Sequence, residues 1–282
     1  MLKLLRAEFF RVKKFKPFYI LLAINLALAL INFFDTVGTF RYNPEYNAFY
    51  LMRIGMGGGI SLLGIYAAVL AGLFIGREYS SGAMRNKVLV GSSRPRIYLS
   101  KLIAVAFMCV CVYCVYHLFN FVFGSIFLDW GRLSFSDVLL HFAAGLLMVL
   151  SYSAVMTALS MLSRSTVTSL LVGIFCVLVF SFLVTWFEQE IAGSYHMDAV
   201  TGEIAFYCDW PEALRKVCAF FDRLIPSGQS VVLCSDAKLN YVHLYACSAG
   251  LTAAVSVGGI WLFGRTDLKL SLIHISAPTR LQ

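Results

Sequence analysis

Six stretches of the chain run close to the length of a bilayer-crossing helix without one Asp, Glu, Lys or Arg. They are residues 18–34, 57–75, 102–128, 138–162, 167–187 and 244–263. A hydrocarbon core roughly 30 Å thick takes about 20 apolar residues at helical rise. A charge at the centre of such a helix costs roughly 2.5–3.5 kcal/mol, against about 0.3–0.6 gained per Leu, Ile, Val or Phe. The pattern therefore predicts an all-α integral membrane chain with six transmembrane helices, forming one domain over 1–269. Gly55, Gly57, Gly58 and Gly59 soften the start of the second span, so that boundary is free to move by several residues. The first run exceeds a signal-peptide core of 7–15 residues and has no small-residue cleavage site after it, so it is expected to stay as an anchor.

Between the runs the periodicity changes. In residues 1–16, Leu2, Leu5, Phe9 and Val12 recur on one helical face while Lys3, Arg6, Lys13 and Lys14 lie elsewhere. That is the pattern of an interfacial helix on an anionic membrane surface, and Pro17 bends the chain where it enters the bilayer. The longest polar segment, about 188–243, holds a second amphipathic helix. Pro211 opens it at its first position; Leu214, Val217, Cys218, Phe221, Leu224 and Ile225 form its stripe; Pro226-Ser227-Gly228 ends it. It is expected to lie on the outer leaflet or to cap the spans. Gly72-x-x-x-Gly76 in the second span permits close helix approach, within the bundle or between subunits.

Composition agrees: 60% of residues are hydrophobic and 13% charged, where soluble domains carry about 25% charged. The net charge of +8 sorts by side. Six spans place the N-terminus, the 76–101 loop, the 163–166 turn and the tail together, with fifteen Lys and Arg against the acids Glu8, Glu78 and Asp267. The opposite side has seven Lys and Arg against twelve acids. The positive-inside rule makes the first side cytoplasmic, giving a multi-pass cell-membrane protein with both termini inside. Such sorting identifies the basic charge as a topology signal and not a nucleic-acid surface. Residues 270–282 begin Leu270-Ser271-Leu272-Ile273-His274-Ile275-Ser276 and resemble a translated sequencing adapter, so they are expected to be non-native.

Catalytic signatures are missing. No G-x-x-x-x-G-K-[ST] cradles phosphate, and neither H-E-x-x-H nor G-x-S-x-G occurs, so no enzyme, catalytic residue or cofactor is expected and any driving force comes from a partner. Cys109, Cys111 and Cys114 point three ways on a helix and do not converge on a metal. Cys208 and Cys234 are the preferred pair for an external disulfide, because Cys218 belongs to the helix stripe. His117 and Asn120 share a face of the third span; they mark a possible pathway, or an interhelical hydrogen bond. An ion-coupled carrier would want intramembrane carboxylates, and the six runs hold none. A membrane-embedded enzyme or sensor would want paired acids or histidines near one interface.

The loop between the second and third spans is the most informative segment. It carries Glu78, Gly82, Arg85-Asn86-Lys87, Gly91, Ser93-Arg94 and Ile97-Tyr98-Leu99-Ser100-Lys101. Met84, Val88 and Leu89 are spaced to give a short amphipathic helix with a face for a soluble partner. Further along come Asp222 with Pro226-Ser227-Gly228-Gln229, and Phe263 followed by Asp267-Leu268-Lys269. In order and spacing these resemble the type-2 ABC exporter permeases, in particular the bacitracin- and lantibiotic-resistance branch. Ala83 stands where that pattern has Thr, which removes a capping hydroxyl. The resemblance implies a membrane-spanning half-transporter in which two permease subunits, identical or different, pair with two ATPase subunits on separate chains. It implies an ATPase-coupling element over 78–91 (Glu78, Gly82, Met84, Arg85, Asn86, Lys87, Val88, Leu89) and structural motif residues Ser93, Arg94, Ser100, Lys101, Pro226, Gly228 and Gln229. Glu78 is expected to fix the coupling helix by pairing with Arg85 or Lys101, or by accepting its N-terminal N–H groups. The cargo is left open between peptide antibiotic, lipid-like compound, drug and ion.

Overall fold

The computed structural model describes residues 1–43, 45–56, 61–131, 134–192, 194–197, 204–207, 210–235 and 239–266. A short helix, α1 (Leu2–Lys13), precedes α2 (Lys16–Phe40), whose first turn takes Pro17, where its missing N–H breaks no helical bond. Next come α3 (Ala48–Ile54), α4 (Leu62–Ser80), α5 (Ala83–Leu89), α6 (Arg94–Phe127), α7 (Phe135–Ser163) and α8 (Thr166–Ala192). The antiparallel pair β1 (Ser194–Met197) and β2 (Ile204–Tyr207) leads to α9 (Glu212–Leu224), α10 (Pro226–Cys234) and α11 (Tyr241–Arg265). Among the described residues, six helices are long and apolar enough to cross a membrane: α2, α4, α6, α7, α8 and α11. Each overlaps one predicted run. The second is displaced, starting at Leu62 where Ser61 Oγ accepts from Gly64 N at 3.4 Å, and running past Ile75 far enough to include Glu78.

Helix α4 is the most enclosed span, between α6, α7 and α8. Gly72 and Gly76 make this possible: a Cβ at 76 would stand 2.5 Å from Thr166 Cα, and one at 72 would stand 3.0 Å from Leu170. The glycine pair is thus an α4–α8 contact inside one chain. Hydrogen bonds between helices fix the rest. Asn25 donates to Val112 O at 2.7 Å, Tyr113 to Phe142 O at 2.9 Å and Ser151 to Ser248 O at 3.0 Å. Ile31, Phe34, Leu171, Phe175, Phe182 and Val257 stay exposed on the outer faces of the spans, as lipid-facing side chains would.

Several features depart from the pattern. The strand pair and α3 have no counterpart in the predicted elements; α3 is capped by Asn47, which accepts from Tyr50 N at 3.0 Å. Pro226-Ser227-Gly228 does end α9 but also opens α10, bent 97° from it, and Pro211 is the cap of α9, one place before the first helical residue. In α9, Leu214, Val217 and Phe221 of the predicted stripe are exposed, whereas Cys218 turns inward beside Asp222. In α1 the unforeseen feature is a buried acid. Leu2 is exposed and the residue most deeply buried is Glu8, because a cation, and not lipid, waits opposite it.

Candidate functional site

Where α4 ends, Ser81 and Gly82 reverse the chain. Gly82 takes φ +71, a conformation that an L side chain adopts only at a cost, and caps α5 without a side-chain bond. Met84 then drops into the core and anchors α5 beneath the bundle. One turn on, Lys87 points back at Glu78. Gly91 at φ +85 ends this short helix, Ser93 caps α6, and Pro95 occupies its first turn. Two turns into α6, Lys101 faces inward and is completely buried. Helix α1 closes the arrangement with Glu8 and Arg11.

The five side chains form one ionic cluster. Lys101 Nζ lies 2.6 Å from Glu8 Oε2 and 2.5 Å from Glu78 Oε1. Lys87 Nζ lies 2.5 Å from Glu8 Oε1 and 2.7 Å from Glu78 Oε1. Arg11 pairs with Glu8 at 2.9 Å and also with Glu78, donates to Phe74 O at 3.2 Å and stacks 4.5 Å above the Phe74 ring. Three cations meet two carboxylates. Removing such charges from water is expensive, and only close, multiply bonded geometry offsets it. Burial pushes the Glu8 carboxyl up, but Lys101 and Lys87 more than reverse this and hold it below its ordinary range. Burial likewise lowers Lys87, and Glu78 and Glu8 outweigh it to leave its ammonium above the usual value.

Glu78, Lys87 and Lys101 are therefore brought together as members of one joint, while Arg85 is not among the ion-pair partners of Glu78. The expected Glu78–Arg85 contact gives way to Lys87 and Arg11, because Lys87 lies on the inward face of α5. Met84 belongs to the core and not to a partner-facing surface. Val88 is half-buried, and Asn86, Leu89 and Val90 are exposed, Val90 at 86%. Glu8 and Arg11 escaped the sequence reading. Their signal was there: Glu8 is the only acid among residues 1–16, set amid six Lys and Arg.

The motif residues tie distant helices. Arg94 donates to Gly264 O at 2.7 Å and Thr266 O at 2.8 Å, joining the start of α6 to the end of α11. Ser100 bonds within its own helix, to Ile97 O at 2.8 Å. Gln229 donates to Arg223 O at 2.8 Å and accepts from Ser248 at 2.7 Å, while Pro226 starts α10 and Gly228 packs on the Asp222 backbone. His117 and Asn120 are buried in α6, His117 about 24 Å along the helix from Lys101. The proposed Cys208–Cys234 pair falls on Cys208, outside the described residues; Asp267, Leu268, Lys269 and residues 270–282 lie outside them too. Among the described residues no three His, Cys, Asp or Glu gather as a metal site. A family model described as ABC-2 family transporter protein matches residues 4–182, which include all five members of the cluster. No curated protein matches the chain.

Proposed function

The chain belongs to the ABC-2 family of transporter proteins, and from that premise we propose that it is the permease subunit of an ATP-driven exporter whose ATPase is a separate chain. The observation that carries this reading is the mounting of α5. Its exposed Asn86, Leu89 and Val90 face away from the bundle, while its Lys87 is ion-paired to α1 through Glu8 and to α4 through Glu78. Lys101 bonds the same two carboxylates from α6. A push on α5 is thereby delivered to three helices at once, which suits rigid-body rocking of a bundle between two states. The chain has no phosphate-binding loop of its own, so the push comes from outside it. Two permease subunits with two ATPases complete the transporter, and the basic end, with both termini, is cytoplasmic.

Two experiments test this. With native cysteines replaced, Val90→Cys should resist a membrane-impermeant thiol reagent applied outside cells and Ser235→Cys should react; the opposite pattern removes the orientation. Co-expressed with its ATPase and reconstituted, Glu78→Ala should insert normally yet lose export and uncouple ATP hydrolysis, and the same change at Glu203 should do little. ATP hydrolysis by the purified chain alone, or full export by Glu78→Ala with the ATPase still bound, would overturn the proposal.

A further inference from the structure

At the end of the bundle away from the ionic cluster, three helices enclose polar groups that are short of hydrogen-bond partners. His117 and Asn120 of α6 and His141 of α7 are 1%, 0% and 0% exposed. Both nitrogens of each imidazole lack a hydrogen-bond partner, and the Asn120 carboxamide has only a loose contact with the Tyr116 hydroxyl. Buried polar atoms in folded proteins are nearly always paired with protein, water or a ligand, so the four imidazole nitrogens together mark a place where something binds.

The three side chains share one enclosure. Phe142, the residue after His141 on α7, packs edge-on against the His117 ring. Helix α3 lies over them: its Ala48 and Leu51 meet α6 at Gly124, one turn beyond Asn120, and its Phe49 ring stands edge-on 5.0 Å from the His141 ring. Tyr113 lies 4.1 Å from the His117 ring, with Phe142 at 6.2 Å. A cation borders the enclosure. Arg53 of α3 lies 5.8 Å from the Phe49 ring that abuts His141, while donating to Cys234 O at 3.1 Å through Nε. Among the described residues no carboxylate is hydrogen-bonded to either imidazole. Asp137, one turn before His141, is occupied by Ser134 N at 3.2 Å at the helix start.

We propose that His117, Asn120 and His141 bind the acidic headgroup, a phosphate or carboxylate, of an amphiphile whose apolar body rests among these rings, and that this amphiphile is cargo. Its identity as cargo rests on the exporter reading above; the binding does not. Each neutral imidazole offers one N–H and Asn120 offers two, donors that an anion accepts; the second nitrogen of each ring and Asn120 Oδ1 are acceptors, which water or a headgroup hydroxyl meets, and nearby Arg53 favours negative charge.

The test uses the full-length purified chain in maltoside detergent, without any ATPase, so its outcome is independent of the coupling experiment. Thermal unfolding is followed with dodecyl phosphate, dodecanoate, dodecyltrimethylammonium or inorganic phosphate. The two acidic amphiphiles should raise the unfolding temperature saturably and the cationic one should not. His117→Phe combined with His141→Phe should weaken the apparent affinity at least about tenfold without lowering the ligand-free unfolding temperature, and Asn120→Leu provides a second variant if that one fails to fold. An equal response to the cation, or an undiminished response in the variants, would overturn the proposal. A shift with inorganic phosphate alone, lost in the same variants, would keep the anion site and make free phosphate its source in place of a lipid headgroup.

Discussion

Lys101 Nζ and Glu8 Oε2 stand 2.6 Å apart with both side chains wholly buried, although 93 residues separate them in the chain. Neither residue has a neighbour on its own helix that could neutralise it there by itself: Arg11 shares Glu8 with Lys87 and Lys101, and α6 supplies no acid at all. Docking α1 against α6 is what makes a charged Lys101 tolerable. Helix α1 is therefore part of the bundle's energetics.

Removing Glu8 should accordingly be costly. Breaking one side of a buried pair leaves an uncompensated charge, worth roughly 3–5 kcal/mol. Glu8→Ala should destabilise the chain by about that amount, and adding Lys101→Met should restore more than half of it. A double-mutant cycle read by chemical unfolding in detergent measures the coupling. Simple additivity of the two changes would mean the contact carries no special energy.

The pH dependence of α1 docking follows from the directions of two shifts. Glu8 is held below its ordinary range, so its contribution is full above the unfolded value of about 4.3 and is lost as pH falls through the lower folded one. Lys87 is raised, so its contribution is full below about 10.4 and is lost as pH rises beyond that. Hydrogen-exchange protection in α1, taken relative to the intrinsic rate at each pH, should fall on the acid side below about pH 4. Glu8→Gln should remove the acid limb. Acid protection that is the same in Glu8→Gln as in the unaltered chain would contradict this account.

What the sequence disclosed depended on range. The spans were legible because apolar runs and helical rise are local. Glu8 was hidden because its partners on other helices lie 79 and 93 residues away, and its helix reads equally well as a lipid-facing stripe. Arg85 and Lys87 could not be ranked as partners of Glu78 until the register of α5 was fixed by Met84 entering the core. His141 went unremarked as a companion of His117 for the same reason: two helices must be placed before their side chains can be seen to face one enclosure.

The corner between α9 and α10 should be intolerant of the smallest side chain. A Cβ at Gly228 would lie 2.0 Å from Asp222 O and 2.6 Å from its carbonyl carbon, and backbone cannot move aside as a side-chain tip can. Gly250 and Gly258 on α11 have nothing within 4 Å of such a Cβ. Gly228→Ala should open the corner, exposing Cys218 to thiol reagents and lowering the unfolding temperature, whereas Gly250→Ala and Gly258→Ala should be neutral or mildly stabilising. Equal behaviour of all three would show the corner to be more yielding than its contacts imply.

Gly82 tests the joint from the opposite direction, by backbone and not by charge. Its φ of +71 sets the angle at which α5 leaves α4, yet nothing lies within 4 Å of a Cβ placed there. Substitution therefore meets no clash, and its cost is conformational, about 1–2 kcal/mol for an ordinary L residue. Asn tolerates this region better than Ala and can also supply the cap that α5 lacks. A penalty of that size shifts a two-state equilibrium by roughly five- to thirty-fold. Gly82→Ala should leave membrane insertion unchanged and lower the unfolding temperature only by what a cost of about 1–2 kcal/mol produces. In the reconstituted transporter it should lower export per ATP hydrolysed several-fold, and Gly82→Asn should recover most of the loss. Coupling that is unaffected by Gly82→Ala would mean that α5 transmits its push without needing the angle the glycine sets.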